Sequence, residues 1–360
     1  MLRELVNKIS DPIYSFPLVT LLFYWMIKYY KVVGSLKFGK WFLWVSIALS
    51  AWFLADPNFF LIIKTPDNVP IGILLVLVGF FTWFAIYKAA QNDIRLENGD
   101  CPIEATPENR EKVWSWPNLV YIELLAMILC TAFLIVWAII FKAPLEEPAN
   151  PTWAPNPAKA PWYFLGLQEM LVYFDPWMAG VVLPGIIVVG LMAIPYIDTN
   201  PKGNGYYTFS ERKMAISLFL YGWLVLWIFL IIIGVFMRGP NWTFYGPFEY
   251  WDFHKVVADF NVNLSEIIWI KMLNTGLPKN LIVREIFGII LSLAYIGYLP
   301  LYIAKATQVG RKFYAELGAI RYYILVFLFL SMMSLPIKMV LRWLFSLKYI
   351  VALPEWELNL

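Results

Sequence analysis

Two carboxylates of this sequence stand where an apolar setting would make them chemically useful. Glu169 belongs to the run Pro161-Trp-Tyr-Phe-Leu-Gly-Leu-Gln-Glu-Met, where Gln168 and Glu169 are the polar members of an aromatic and aliphatic wall. In a helix started by Pro161, Trp162 and Glu169 are seven residues apart and lie on nearly one face. An apolar cleft with a few polar groups suits a lipid-soluble ring compound. A carboxylate in such a cleft has a raised pKa and works as a proton carrier near neutrality. Glu123 lies just inside another apolar run. A charge there costs a few kcal/mol unless it is partnered or protonated, and Lys112 and Arg110 are its nearest cations in sequence.

Other chemistries are poorly supplied. The single histidine, His254, leaves the chain unable to ligate a bis-histidine haem by itself. Cys101 and Cys130 lie far apart and form no C-x-x-C motif, so no metal site is expected. A net charge of +3 gives no case for nucleic acid.

The elements that position these residues must be membrane helices. Of 360 residues, 61% are hydrophobic and 15% charged, against about 25% charged in soluble domains. A soluble fold of this size cannot hide so much apolar surface. The expected fold is an all-α integral membrane protein of about eight transmembrane helices. The runs are Tyr14–Val33, Trp41–Ile63, Ile71–Ala89, Leu119–Phe141, Met178–Ile197, Met214–Met237, Ile286–Ala304 and Tyr322–Phe345. Asp56-Pro57-Asn58 interrupts the second run, which leaves open a re-entrant segment. Continuous rather than alternating apolar runs exclude a β-barrel. A short helix from Pro161, in the loop after the fourth run, is too short to span and should lie at the membrane surface. Lys and Arg concentrate in the first, third, fifth and seventh connections, from Lys28 to Arg321, which assigns these to the cytoplasmic side. The fourth loop, the connection after Arg238 and both chain ends then share the opposite side. Membrane lipid is one expected partner. Gly180, Gly185 and Gly190 are expected at close helix approaches, and Lys338 and Arg342 are expected to snorkel.

From about Trp116 to Met237 the chain resembles the C-terminal half of cytochrome b, called subunit IV when encoded separately. The resemblance rests on an ordered series: Trp116-Pro117-Asn118, Glu147-Pro148-Ala149-Asn150-Pro151, Ala160-Pro161-Trp162-Tyr163-Phe164, Pro195-Tyr196-Ile197-Asp198 and Arg238-Gly239-Pro240. The third fragment takes the place of the family's Pro-Glu-Trp-Tyr motif, which lines the quinol-oxidation pocket.

The resemblance implies a subunit of a quinol:cytochrome c-type oxidoreductase in an energy-transducing inner membrane, in a respiratory chain using a quinone such as menaquinone. It implies a cytochrome b N-terminal-type partner carrying haem b, a Rieske-type iron–sulfur protein and a c-type cytochrome. Pro161, Trp162 and Tyr163 would bind quinol; Asn118 and Glu123 would belong to a quinone-reduction pocket. Aligned on Trp162-Tyr163, the family's motif glutamate falls at Pro161, which accepts no proton, so Glu169 is expected to take over. Three regions are expected: an extension over 1–110, a subunit IV-like domain over 111–238, and a connection with two further spans over 239–360. The alternatives are a non-catalytic scaffold, kept alive by the lost glutamate, and a transporter. Transporters usually show broken helices in both halves of an internal repeat, and here only the second run is broken.

Overall fold

The computed structural model describes residues 1–109, 112–140, 148–200, 205–258, 260–356 and 358–360. Arg110, Glu147 and the loop cations Lys142 and Lys202 lie outside the described residues. Apart from the two-residue strands Ala352–Leu353 and Leu358–Asn359, the secondary structure is helical. Six helices are long and apolar enough to cross a bilayer: Asn68–Glu97, Ser115–Ile140, Met178–Ile197, Lys213–Met237, Leu281–Ala306 and Ala319–Phe345. A bent pair, Leu36–Leu54 with Pro57–Ile63, raises the count to seven. The first expected run forms the 17-residue helix Pro12–Lys28. Its length, roughly 25 Å, falls short of a bilayer core of about 30 Å. The expected eight therefore becomes six or seven.

The contacts divide the chain into two compact units, one of Met1–Phe23, Asn156–Gly203 and Leu218–Leu360, the other of Tyr24–Pro155 and Asn204–Ser217. In the second unit the chain bends by 103° between Leu36–Leu54 and Pro57–Ile63. The cause is local: Asp56 accepts from the Asn58 and Phe59 N–H groups at 2.9 and 3.2 Å, and Pro57 takes the first helical position, where its missing N–H costs nothing. Before the bend, Leu36–Leu54 runs antiparallel to Asn68–Glu97. A Cβ at Gly39 would strike the Trp83 ring 2.1 Å away, while Phe42 lies beside Gly79. Only glycine admits that indole. Nineteen residues cover roughly 28 Å before the chain turns, so this helix runs most of the way beside its neighbour. At the far end of the long helix, Asn92 and Asp93 are fully buried. Asn92 donates to Glu104 and to the Tyr207 carbonyl, both at 2.7 Å. Asp93 accepts from the Ser210 N–H and hydroxyl at 2.9 and 2.8 Å. Lys31 pairs with Glu97 at the same end. The first, third and fifth connections thus meet, as their shared charge bias leads one to expect.

In the other unit, the core gathers Phe16, Met170, Tyr173, Phe174, Val225, Leu226, Phe229, Leu230, Ile233, Leu335 and Met339. The helix Lys213–Met237 runs through it, with Leu230, Ile233 and Val235 sealed from solvent. Close approach occurs at Gly234, where a Cβ would stand 3.1 Å from the Leu165 carbonyl oxygen. Of the three glycines expected at such approaches, Gly190 meets Leu328 at 3.3 Å, but Gly180 and Gly185 face open space. Lys338 and Arg342 do not snorkel; both are buried. Lys338 donates to the Lys348 carbonyl, which replaces the interfacial water it was expected to seek. At the start of Leu281–Ala306, buried Glu285 accepts from Arg284 at 3.1 Å and from the Ala352 N–H at 3.0 Å, tying down the terminal strands.

One cavity of about 1100 Å³ in this unit is lined from four stretches: residues 4–14, 168–173, 238–258 and 342–348. These are the chain start, the fourth loop, the long connection and the chain end, the group that the charge pattern places together.

Candidate functional site

The helix Trp162–Met170 follows Pro161, which occupies the position just before the first turn. Its approach is fixed by its own side chain: Gln168 accepts from the Ala160 N–H and donates to the Ala158 carbonyl, both at 2.8 Å. Leu165, Gly166, Glu169 and Met170 face inward, and Trp162, Tyr163 and Phe164 face outward, 38 to 50% exposed. The spacing of four between Leu165 and Glu169 puts both on the buried stripe.

Glu169 is wholly buried, and what it meets there is a cation. Arg238 donates to it as a fork, Nε to Oε2 at 2.9 Å and Nη2 to Oε1 at 2.7 Å, while Nη1 donates to the Trp242 carbonyl at 3.1 Å. Paired, charge-assisted bonds of this kind are among the strongest a protein makes. Burial works against the Arg238 charge, but Glu169 beside it holds the guanidinium above its ordinary pKa. A second cation stands close by. Lys159 donates to the Val235 carbonyl at 2.7 Å and sits 4.8 Å over the Trp251 ring. Burial lowers its pKa to about 8, with Glu169 opposing the shift. The cluster therefore holds two cations and one carboxylate.

On its apolar side the same helix borders a cleft of about 590 Å³. Leu167 and Met170 line it with Leu183, Ile187, Trp223 and Met332, and its surface is almost wholly apolar. Of the wall read from the sequence, Leu167 and Met170 line this cleft. Leu165 is sunk against Gly234. Gln168 borders the large charged cavity instead. Pro161, Trp162 and Tyr163 are exposed and line neither cavity.

Asn118 and Glu123 sit on Ser115–Ile140, and both are exposed; no residue of that helix is buried. Among the described residues Glu123 forms no ion pair, and Lys112 does not reach it. Arg110, the other expected partner, lies outside the described residues. His254 is exposed and Cys101 and Cys130 are free thiols. Among the described residues no group of histidine, cysteine and acidic side chains is gathered to hold a metal.

Sequence reading missed Arg238 and Lys159 as members of this cluster. A signal for the first was present: Arg238 is the first charge after the uncharged stretch 214–237, and a buried carboxylate needs a cation.

Against known proteins, residues 148–249 match the family described as Cytochrome b(C-terminal)/b6/petD. The match takes in the loop helix, Lys159, Glu169, Arg238 and the helix Lys213–Met237. It agrees with the resemblance read from the order of motifs. No solved structure matches the chain.

Proposed function

We propose that this chain is the subunit of a cytochrome bc-type quinol:cytochrome c oxidoreductase that ligates no haem through histidines of its own, working in an energy-transducing inner membrane. A haem b-carrying cytochrome b N-terminal-type chain would stand beside it, with a Rieske-type iron–sulfur protein and a c-type cytochrome as electron acceptors. The observation that carries this reading is the apolar cleft beside the loop helix, inside the stretch that matches the cytochrome b family. It has the size and apolar character that a lipid-soluble quinol such as menaquinol needs. Pro161, Trp162 and Tyr163, exposed on the chain, supply a quinol-facing surface that the haem-bearing neighbour completes.

Glu169 enters this reading as the carboxylate that receives a quinol proton. Its fork with Arg238 sets the condition: the pair must open before a proton can arrive. Glu123 and Asn118 serve a second pocket, where quinone is reduced. The test is quinol oxidation by the purified complex. Glu169→Gln should lower turnover by about 10²-fold or more while the haem partner stays bound. Unchanged turnover would remove Glu169 from the chemistry. For Glu123→Ala, reoxidation of haem by quinone should slow, and an unchanged rate would remove Glu123.

One observation favours a scaffold reading instead. Pro161 replaces the motif acid, and the carboxylate next along the helix is locked by Arg238. Absence of inhibitor-sensitive quinol oxidation in a complex with full haem content would decide for the scaffold.

A further inference from the structure

The cavity of about 1100 Å³ belongs to neither quinone pocket proposed above. It opens where two spanning helices end: Arg238 directly follows Lys213–Met237, and Arg342 lies in the last turn of Ala319–Phe345. Two spans ending together put the cavity at a membrane boundary, the depth of lipid headgroups.

Its wall contains Tyr173, only 1% exposed, whose hydroxyl has no hydrogen-bond partner among the described residues. Trp343 packs edge-on against the ring but is out of hydrogen-bond geometry with the hydroxyl. Burial raises the pKa of this phenol, with Glu169 adding to the effect, so it remains a donor. A buried donor left unmet costs about 1–3 kcal/mol, and it calls for an acceptor from outside the chain.

The charges on the wall describe that acceptor. The cations are Lys8, Arg238, Lys255, Arg342 and Lys348. The carboxylates are Glu4, Asp11 and Glu249. Arg238 is committed to Glu169, and Lys255 pairs with Glu249 at 3.5 Å. Lys8, Arg342 and Lys348 then face Asp11 and Glu4, and the Glu4 side chain is 85% exposed. Lys338, behind the wall, adds a further positive charge close to Arg342 and Lys348. The nearest acid on the adjoining loop, Asp175, accepts from Asn359 at 3.2 Å and from Tyr349 at 3.5 Å. The potential on this side of the cavity is positive, and its donors are an arginine, a lysine and a phenol.

We propose that this cavity seats the phosphate of an anionic phospholipid headgroup, with Tyr173, Arg342 and Lys348 donating to its oxygens. Arginine and lysine at a membrane boundary recognise phosphate by charge and by directed N–H groups.

The test uses the full chain, purified in detergent and stripped of lipid. Its thermal unfolding is followed during separate titrations with phosphatidylglycerol, phosphatidylcholine and inorganic phosphate. Phosphatidylglycerol should raise the unfolding temperature, as any ligand of the folded state does. Phosphatidylcholine and inorganic phosphate at equal concentration should not. Tyr173→Phe and Lys348→Gln should each weaken the phosphatidylglycerol effect about fivefold. Lys348 is only half-buried, so its variant carries the test if Tyr173→Phe fails to fold. Equal effects of the two lipids would overturn the proposal, as would an unchanged affinity in Lys348→Gln. An equal shift from inorganic phosphate would overturn the lipid as its source.

Discussion

Ser115–Ile140 and Lys213–Met237 have almost the same length and the same hydropathy, yet the first has no residue buried and the second is half-buried. Their carboxylates differ in the same way. Glu123 stands exposed on the first helix, while Glu169 is packed beside the second and locked by the arginine that ends it. Apolar composition tells that a helix will leave water. It does not tell whether lipid, another chain or the helix's own fold will receive it, because in a bilayer all three are apolar. A carboxylate is more informative. One with an internal cation is part of the fold, and one without must find its partner elsewhere or carry a proton.

Substitutions can break this contrast. The largest effect should come from Arg238→Gln, which leaves Glu169 buried without its cation. About 4 kcal/mol of stability should be lost, seen in thermal unfolding of the detergent-purified chain. A loss under 1 kcal/mol would mean that the pair is not buried as described. Next, Leu230→Ala empties a fully enclosed position and should cost about 3 kcal/mol. Leu129→Ala on the bare helix, where the side chain is 69% exposed, should stay within about 0.5 kcal/mol.

The pH dependence of stability sharpens the picture of the loop cluster. Burial lowers Lys159 in the folded chain from 10.5 to about 8. Between these values the unfolded chain binds the proton that the folded chain lacks. Stability should therefore rise with pH across that window, by roughly 2 kcal/mol after allowing for partial solvent contact. Lys159→Met should flatten the rise, measured by chemical unfolding at pH 8 and pH 10.5. The smallest effect belongs to Glu123→Gln, within about 0.5 kcal/mol for the isolated chain. A larger loss would show that Glu123 has a partner within the chain.

Much of this could be read from residue order. The long spans follow from composition alone, and the bend at Asp56 from a capping carboxylate followed by proline. The family stretch followed from fragments in series, and 148–249 is where the family match falls. What escaped were relations across distance. Glu169 and Arg238 are 69 residues apart, and no local pattern links a loop carboxylate to the residue after a span. Lys338 and Arg342 had the spacing of snorkelling cations, but the segment after Phe345 folds back and offers them carbonyls at Lys348 and Ser346. Gly234 looked like any glycine in an apolar run until Leu165 stood against it.

The cavity framed by the chain start, the fourth loop, the long connection and the chain end carries an evolutionary constraint. Each of those landmarks returns to one face, so the number of crossings between any two of them is even. A descendant of this chain that preserved the cavity would have to gain or lose membrane passes in pairs. A relative differing by a single pass between two of the landmarks would have had to abandon the chamber.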